Sequence, residues 1–500
     1  MTKIKKKNKQ SRKGPISEII IFGLIISVLS FVFSLLKVNG LKTDPGTFET
    51  TLVTINNIFS KSGIRHVLDN SLTNFQTLEP LVMVLMSLIA VSILEASGLL
   101  KHVFTPLRKL KPRFVTLLVM FIGIISTIIG DYSYVLLIPI AAILYKYIGR
   151  DSRLGILTMF IAITIGYGTG IIYNHLMYEL GDITELAASG IIKNYNYELL
   201  SNIFLLIFST FVLTIFGSII LEKFAHNYTR NEETDNLNVS KKAGRATFIF
   251  FIIMLAVVIY SVIPNLPHSG VLLDKTEPTY IGKLFGSSSP LNQGFMFLII
   301  VILMICGFIY GKVSRNIKNS KDYSAALTKS FEGTGYVFVL LFFASVLYLI
   351  IDWTNIGTVL STNIVDFVGR SSLSGVILVI VAFLSIVLIS ILIPSTVAKW
   401  NIIAPIYIPL LMRANISPAF TQTLFQAADS VGKLFSPIYV YLILTIGFMY
   451  KYDKDSNNNI IKTMKKIMPI IILLSLIWFV IIIGWYLIGL PIGINSNITL

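Results

Sequence analysis

The sequence predicts an all-α polytopic membrane protein, with about nine transmembrane helices plus two oppositely oriented re-entrant hairpins arranged as inverted repeats. Three observations carry this. Of the 500 residues, 54% are hydrophobic and only 13% charged, against roughly a quarter charged in soluble domains. Many apolar runs reach the ~18–20 residues a helix needs to cross a bilayer. Two further apolar runs are broken by polar residues in a way that fits neither one span nor a loop: Phe114–Tyr145, interrupted at Gly130–Ser133, and the run from Gly375 to Arg413, interrupted at Pro394–Thr396.

Composition also sets exclusions. The net charge of +16 needs no nucleic-acid partner, because Lys and Arg concentrate in the loops expected to stay in the cytoplasm. Cys306 is the only cysteine, so an intramolecular disulfide and a Cys-based metal cluster are both excluded. No HExxH, Walker or GxSxG motif occurs. The expectation is a non-enzyme without catalytic residues, cofactor or metal site.

Taken in order, residues 1–16 are a basic cytoplasmic tail, and a first span covers about Ser17–Leu36. Residues 37–79 read as a polar loop with an amphipathic piece near Ile64–Phe75, followed by a span at about Pro80–Leu100 that carries Glu95 near its inner end. Residues 101–113 hold five basic residues and no acid, and the segment after Tyr145 is basic again. Both flanks of the first broken run therefore belong on the cytoplasmic side, which a hairpin of two short arms or a pair of short spans satisfies and a single span does not. A Gly-studded span at about Leu154–Leu180 follows, then an outer loop near Gly181–Glu198. Further spans are expected at about Leu199–Leu221, Ala246–Pro264, Phe295–Tyr310 and Gly335–Ile351, with a surface helix in the basic stretch 312–333. The second hairpin, about 375–412, faces the exterior; its arms also read as too short for full spans. Spans at Pro418–Tyr450 and about Met468–Leu490 leave the C-terminus outside. The chain thus divides into a first half, 17–264, with a cytoplasm-facing hairpin at about 114–145, and a second half, 265–500. Asp131–Leu144 resembles Val397–Leu410 at an offset of 266 positions, with Pro139 falling on Pro405 and Tyr134 on Trp400. Interrupted segments at matching places in two halves are the sequence mark of a binding site in secondary transporters.

Several blocks resemble the p-aminobenzoyl-glutamate transporter (AbgT) family, also studied as antimetabolite exporters. They are LEASGLL at Glu95, GDYSYVLLIPIAAIL at the first hairpin, AITIGYGTG, DWTNIG, AKWNIIAPIYIPL and ADSVGKLFSPIYVY. The resemblance covers most of the chain. It implies nine membrane helices plus two hairpins in a homodimer in the bacterial plasma membrane. It also implies secondary active transport of a small amphipathic or anionic solute of the p-aminobenzoyl-glutamate or antimetabolite type, with proton or sodium coupling, and it fits an exporter. The family's site residues match Trp400, Asp429 and Pro418. The chain is a divergent member: Val397 stands for the serine of SAKW, Ser390 and Lys433 for asparagines, Gln426 for an arginine and Met177 for an acid. A transporter-derived cell-envelope assembly or regulatory factor without coupled transport is the alternative that these losses favour.

The residues themselves give a candidate set. Asp429 lies inside a span, where a carboxylate is costly and marks either a functional site or an ion pair that fixes helix packing. Lys433 is at i+4 and Gln426 three residues before Asp429, on the same helical face. The Lys433 ammonium is expected either to occupy the place of a coupling cation at Asp429 or to snorkel to the inner surface. Asp131, Ser395 and Thr396 sit at the hairpin tips, where each either caps the next helix or helps form the site, with free helical N–H groups available to an anion. Trp400 either stacks on a substrate ring or packs. Lys399 is either a substrate counter-ion or faces water, and Ser390 joins the coupling set. Asn174, His175 and Glu179 bring polarity to the first broken span, with His175 or Glu179 as candidate protonatable groups. Glu95 and Asp352 lie near span ends and read as caps or pairing partners.

Overall fold

The protein is described from a computed structural model, which covers residues 14–224, 237–453 and 459–500. The predicted basic tail therefore lies almost entirely outside the described residues. Helices dominate. The first membrane helix, α1 (Pro15–Leu35), starts on a proline, which suits a position whose N–H has no intrahelical partner. It leads into an antiparallel hairpin of β1 (Asn39–Thr43) and β2 (Thr50–Thr54), in register Asn39 opposite Thr54. Then come the amphipathic α2 (Lys61–Gln76), α3 (Glu79–Ala96), the short α4 (Leu99–Phe104), α5 (Pro112–Ile125), a 3-10 turn over Ser126–Ile129, and α6 (Tyr132–Tyr147). The first half continues through α7 (Ser152–Gly166), α8 (His175–Ser189), α9 (Ile203–Phe224) and α10 (Lys241–Val262). The second runs through α11 (Tyr280–Phe285), α12 (Pro290–Ser314), α13 (Ser320–Thr328), α14 (Gly335–Thr354) and α15 (Ile356–Gly369). It ends with α16 (Gly375–Leu392), α17 (Thr396–Arg413), α18 (Pro418–Phe435), α19 (Val440–Tyr452) and α20 (Ile460–Ile488).

Among the described residues, nine helices are long and apolar enough to cross a membrane, or up to ten if a bent pair counts as one span. The number agrees with the sequence reading, but the membership does not. Seven spans recur, whereas the entering arms of both predicted hairpins, Pro112–Ile129 and Gly375–Leu392, also qualify at 18 residues each. Two predicted spans are broken instead. Pro418–Tyr450 is α18 and α19, bent by 44° at Ser436–Tyr439, where Pro437 has no N–H to continue the ladder. Leu154–Leu180 is α7 and α8 around a non-helical stretch at 167–174, and α8 runs on to Ser189 through residues read as loop. Asn174 restarts that helix: its side chain accepts from the Met177 N–H at 2.9 Å, a standard N-cap.

Two elements were not expected. The β-hairpin lies in the stretch read as a loop, and α15 fills the unassigned residues after DWTN. They support each other: Asn363 of α15 donates to the Asn39 carbonyl at 2.8 Å, and a Cβ on Gly40 would collide with Thr362. The surface helix expected in 312–333 is α13.

Packing gathers the breaks at the centre. All of α18 from Pro418 to Leu434 is buried, including Thr421, Gln422, Thr423, Gln426, Asp429, Ser430 and Lys433. A helix buried on every side ordinarily is apolar throughout, so this polar content must find its partners inside the protein. Gly432 lets α18 sit directly on α16, since a Cβ there would come within 2.7 Å of the Val387 carbonyl and 2.4 Å of Ser390. The principal hydrophobic core draws residues from both halves of the chain.

Candidate functional site

Asp429 anchors the centre. Its carboxylate receives donors from three helices: Ser390 Oγ of α16 at 2.9 Å on Oδ1, and Thr396 Oγ1 of α17 at 2.8 Å on Oδ2. Lys399 of α17 pairs with Oδ1, and Lys433 Nζ of α18 stands 3.4 Å from Oδ2. Asp429, Lys399 and Lys433 are 1%, 0% and 3% exposed. A lone charge at this depth would cost several kcal/mol, so the pairing is what permits burial. Lys433 does not snorkel outward. It donates to Thr396 Oγ1 at 2.5 Å and lies 3.9 Å from the centroid of the Tyr167 ring, with Tyr439 at 6.0 Å. Lys399 does not face water, as one sequence reading had it; its ammonium is enclosed and also reaches the Pro394 carbonyl at 3.5 Å.

The two breaks differ in chemistry. At 393–395, Ser395 caps α17 by accepting from the Ala398 N–H at 3.3 Å, while Thr396 turns to Asp429. At 126–131, Gly130 takes a positive φ of 60° and Asp131 is already helical, with no capping bond from its side chain. The capping role read for Asp131 is therefore overturned: Tyr167, in the break after α7, donates its hydroxyl to Asp131 instead. Tyr134, Tyr439 and Tyr441 close the floor. The Tyr439 hydroxyl donates to that of Tyr134 at 3.1 Å, and the Tyr134 and Tyr441 rings stack at 4.2 Å.

A cavity of about 1260 Å³ lies between these breaks. Of the sequence candidates, Asp131, Asn174, His175, Glu179, Asp352, Ser395, Thr396 and Lys433 line it. Trp400, Lys399, Asp429, Ser390, Gln426 and Pro418 sit behind the wall. Trp400 stacks on Phe425 at 4.4 Å and donates its N–H to Thr184 Oγ1 at 3.0 Å and to the Leu180 carbonyl at 3.2 Å, tying α17 to α8. Gln426 does not join Asp429; it accepts from Asn202, just before α9, at 3.5 Å. Pro418 occupies the first turn of α18, beside its cap Ser417. His175 meets the Phe285 carbonyl at 2.6 Å and Glu179 at 3.4 Å. Glu95 reads correctly as a pairing partner, 4.0 Å from Lys146. Sequence reasoning missed Glu79, Tyr167, Tyr439 and Tyr441 in the lining. Tyr167 had a usable signal, since it interrupts the glycine run of IGYGTG; Glu79 had only its place beside Pro80 at a helix start.

Comparison with known proteins decides the family. The model of the AbgT putative transporter family matches residues 11–500. The chain belongs to that family. Among curated relatives of this AbgT-family protein is the p-aminobenzoyl-glutamate transport protein of Escherichia coli (strain K12). It is 26% identical over 486 residues, spanning 95% of this chain and 92% of the relative. The crystal structure of the Alcanivorax borkumensis YdaH transporter, described as having an unusual topology, is similar with a TM-score of 0.51 and 27% identity, covering 96% of this chain and 100% of that one. Neisseria gonorrhoeae MtrF, described among a class of antimetabolite efflux pumps, gives a TM-score of 0.50 and 25% identity, covering 97% and 98%. The AbgT-family chain is thus a multi-pass membrane protein of a transporter family.

Proposed function

We propose that this protein is a secondary active transporter that carries a small amphipathic or anionic solute through the cavity between its two helix breaks. The observation that carries the reading is that one cavity is lined by both breaks, 127–132 and 392–398, together with the non-helical stretch after α7. Discontinuous helices meeting at one site are how secondary transporters form a substrate site without a soluble interior. On this reading α5–α6 and α16–α17 are re-entrant hairpins of two inverted halves, 17–264 and 265–500. Ser395, Thr396 and Lys433 face the solute, and Trp400, Gln426 and Pro418 position the helices that present them. The p-aminobenzoyl-glutamate and antimetabolite classes and the export direction follow the names of the relatives, and a homodimeric state follows the family resemblance; all belong to the proposal.

The coupling set Asp429, Lys433, Asp131 and Ser390 is read with an internal cation: Lys433 supplies at Asp429 the positive charge that a sodium ion would otherwise bring. The driving force is then the proton gradient, or none. The completed shell around Asp429 also favours a second reading, an envelope factor descended from a transporter. Flux into proteoliposomes separates the two. Counterflow of radiolabelled p-aminobenzoyl-glutamate or a sulfonamide in the wild type, lost in Asp429→Ala, supports transport. A protein that is folded and inert toward every solute offered sinks it.

A further inference from the structure

The cavity walls are acidic. Besides Asp44, which lies next to Lys42, four carboxylates line the cavity: Glu79 at the start of α3, Asp131 at the first break, Glu179 on α8 and Asp352 at the end of α14. Glu79 lies within electrostatic reach of Asp131 and Glu179, and Tyr348 within reach of both Asp131 and Asp352, so they share one field. Glu79 and Asp352 have no hydrogen-bonding or ion-pair partner for their side chains among the described residues. Asp131 is met by the neutral Tyr167 hydroxyl. Glu179 is met by His175 of its own helix.

The positive side is thin. No arginine lines the cavity among the described residues. Lys42 on β1 interacts with Asp44, which is held below the usual carboxylate range first by the Thr47 and Gly46 N–H groups and lastly by Lys42. Lys433 is shared with Asp429, so the buried trio of Asp429, Lys399 and Lys433 contributes one surplus ammonium. Glu79 and Asp352, with Asp131 and the His175-paired Glu179 beside them, face that ammonium inside low-dielectric walls, which concentrate the field on whatever enters. Rings of Tyr132, Tyr167, Tyr173, Phe285, Tyr348 and Tyr439 fill much of the remaining surface, and aromatic faces attract cations as carboxylates do.

We infer that the solute class this cavity selects is an amphipathic organic cation, an amine carried on an aromatic or apolar body, in preference to a dicarboxylate. The inference rests on the reading of this cavity as the solute site and names its substrate class. A solute bearing two carboxylates would set two further acidic groups beside Glu79 and Asp352, which have no partner to neutralise them. A protonated amine would pair with Glu79 and Asp352 while its ring lies among the tyrosines.

The test uses the full chain in lipid nanodiscs and isothermal titration with three probes of similar body. These are 4-(aminomethyl)aniline as the monocation, p-aminobenzamide as the neutral form and p-aminobenzoyl-glutamate as the dianion. The monocation is expected to bind at least about ten-fold more tightly than either other probe, the scale of one added charge contact in a partly buried site. Glu79→Gln and Asp352→Asn are each expected to remove most of that margin, measured as the ratio of monocation to neutral-probe affinity. Two isosteric changes on separate helices guard against a single variant that misfolds. Preference for the dianion, absence of monocation binding, or a margin indifferent to both substitutions overturns the inference. Selective binding without flux in proteoliposomes leaves it standing and sinks only the transport reading.

Discussion

Lys433 and Asp429 face each other one helical turn apart on the fully buried α18, Nζ to Oδ2 at 3.4 Å, and Lys399 closes on the other carboxylate oxygen from α17. Removing the acid strands two ammonium ions. Asp429→Asn is therefore expected to destabilise the protein by about 3–5 kcal/mol, the cost of breaking a buried pair, and more than Lys433→Met, which leaves the Lys399–Asp429 pair intact. Thermal unfolding in detergent ranks the two, and the reverse order would show that Lys399 alone does not hold the site.

The internal-cation reading gives a second expectation. Wild-type melting should be the same in sodium and in choline salts. Lys433→Asn removes the ammonium while keeping polar atoms, so sodium should then raise the melting temperature, and adding Asp429→Asn should abolish that response. Sodium stabilisation of the wild type, lost on altering Asp429, sinks the reading.

Thr396 Oγ1 accepts a hydrogen bond from the Lys433 ammonium at 2.5 Å and donates one to Asp429 at 2.8 Å. Thr396→Val keeps the shape and loses both bonds, leaving buried polar groups unsatisfied. About 1–3 kcal/mol of destabilisation is expected, with Thr396→Ser restoring most of it. Ser390→Ala, which removes one bond to the same carboxylate, should cost less. Chemical denaturation of the three variants gives the comparison.

What the sequence made visible follows from which interactions are local. Apolar length and loop charge reveal seven of the spans and both helix breaks because each depends on a contiguous stretch. The i+4 meeting of Asp429 and Lys433 is likewise a property of one helix. Lys399 was opaque for the opposite reason. A lysine beside a tryptophan reads as a substrate counter-ion or as facing water until α16 and α18 close around it and α18 supplies Asp429. Asp131 misled because its sequence context suits a cap, whereas after Gly130 at φ 60° it already has helical dihedrals, makes no capping bond, and its carboxylate meets Tyr167 from another segment. The β-hairpin and α15 went unseen because neither is strongly patterned alone; each is held by the other.

Trp400 offers a contrast between stacking on a solute and positioning a helix. Its ring lies on Phe425 and its N–H reaches Thr184 and Leu180 of α8. Trp400→Phe keeps an aromatic face and leaves those two acceptors unmet, so about 1–3 kcal/mol of stability should be lost. Affinity of a cavity ligand should change less than about two-fold, a difference below 0.5 kcal/mol. A large loss of affinity with unchanged melting would instead put the indole in contact with the solute.

Tyr167 joins the two breaks by two separable contacts. Its hydroxyl donates to Asp131 at the first, while its ring lies under Lys433, which holds Thr396 at the second. Tyr167→Phe removes only the hydroxyl contact and Tyr167→Leu removes both. If the side chain ties the breaks together, Phe should raise amide hydrogen exchange around 126–133 and leave 395–400 protected, whereas Leu should raise both. Lys433→Met should loosen 395–400 without affecting 126–133. The ring contact is worth up to about 2 kcal/mol when desolvated, enough for a change of roughly thirty-fold in a local opening equilibrium. Equal exchange at both segments in Phe and Leu would mean that the breaks are held independently by the packing of α6 on α7 and of α16 on α18.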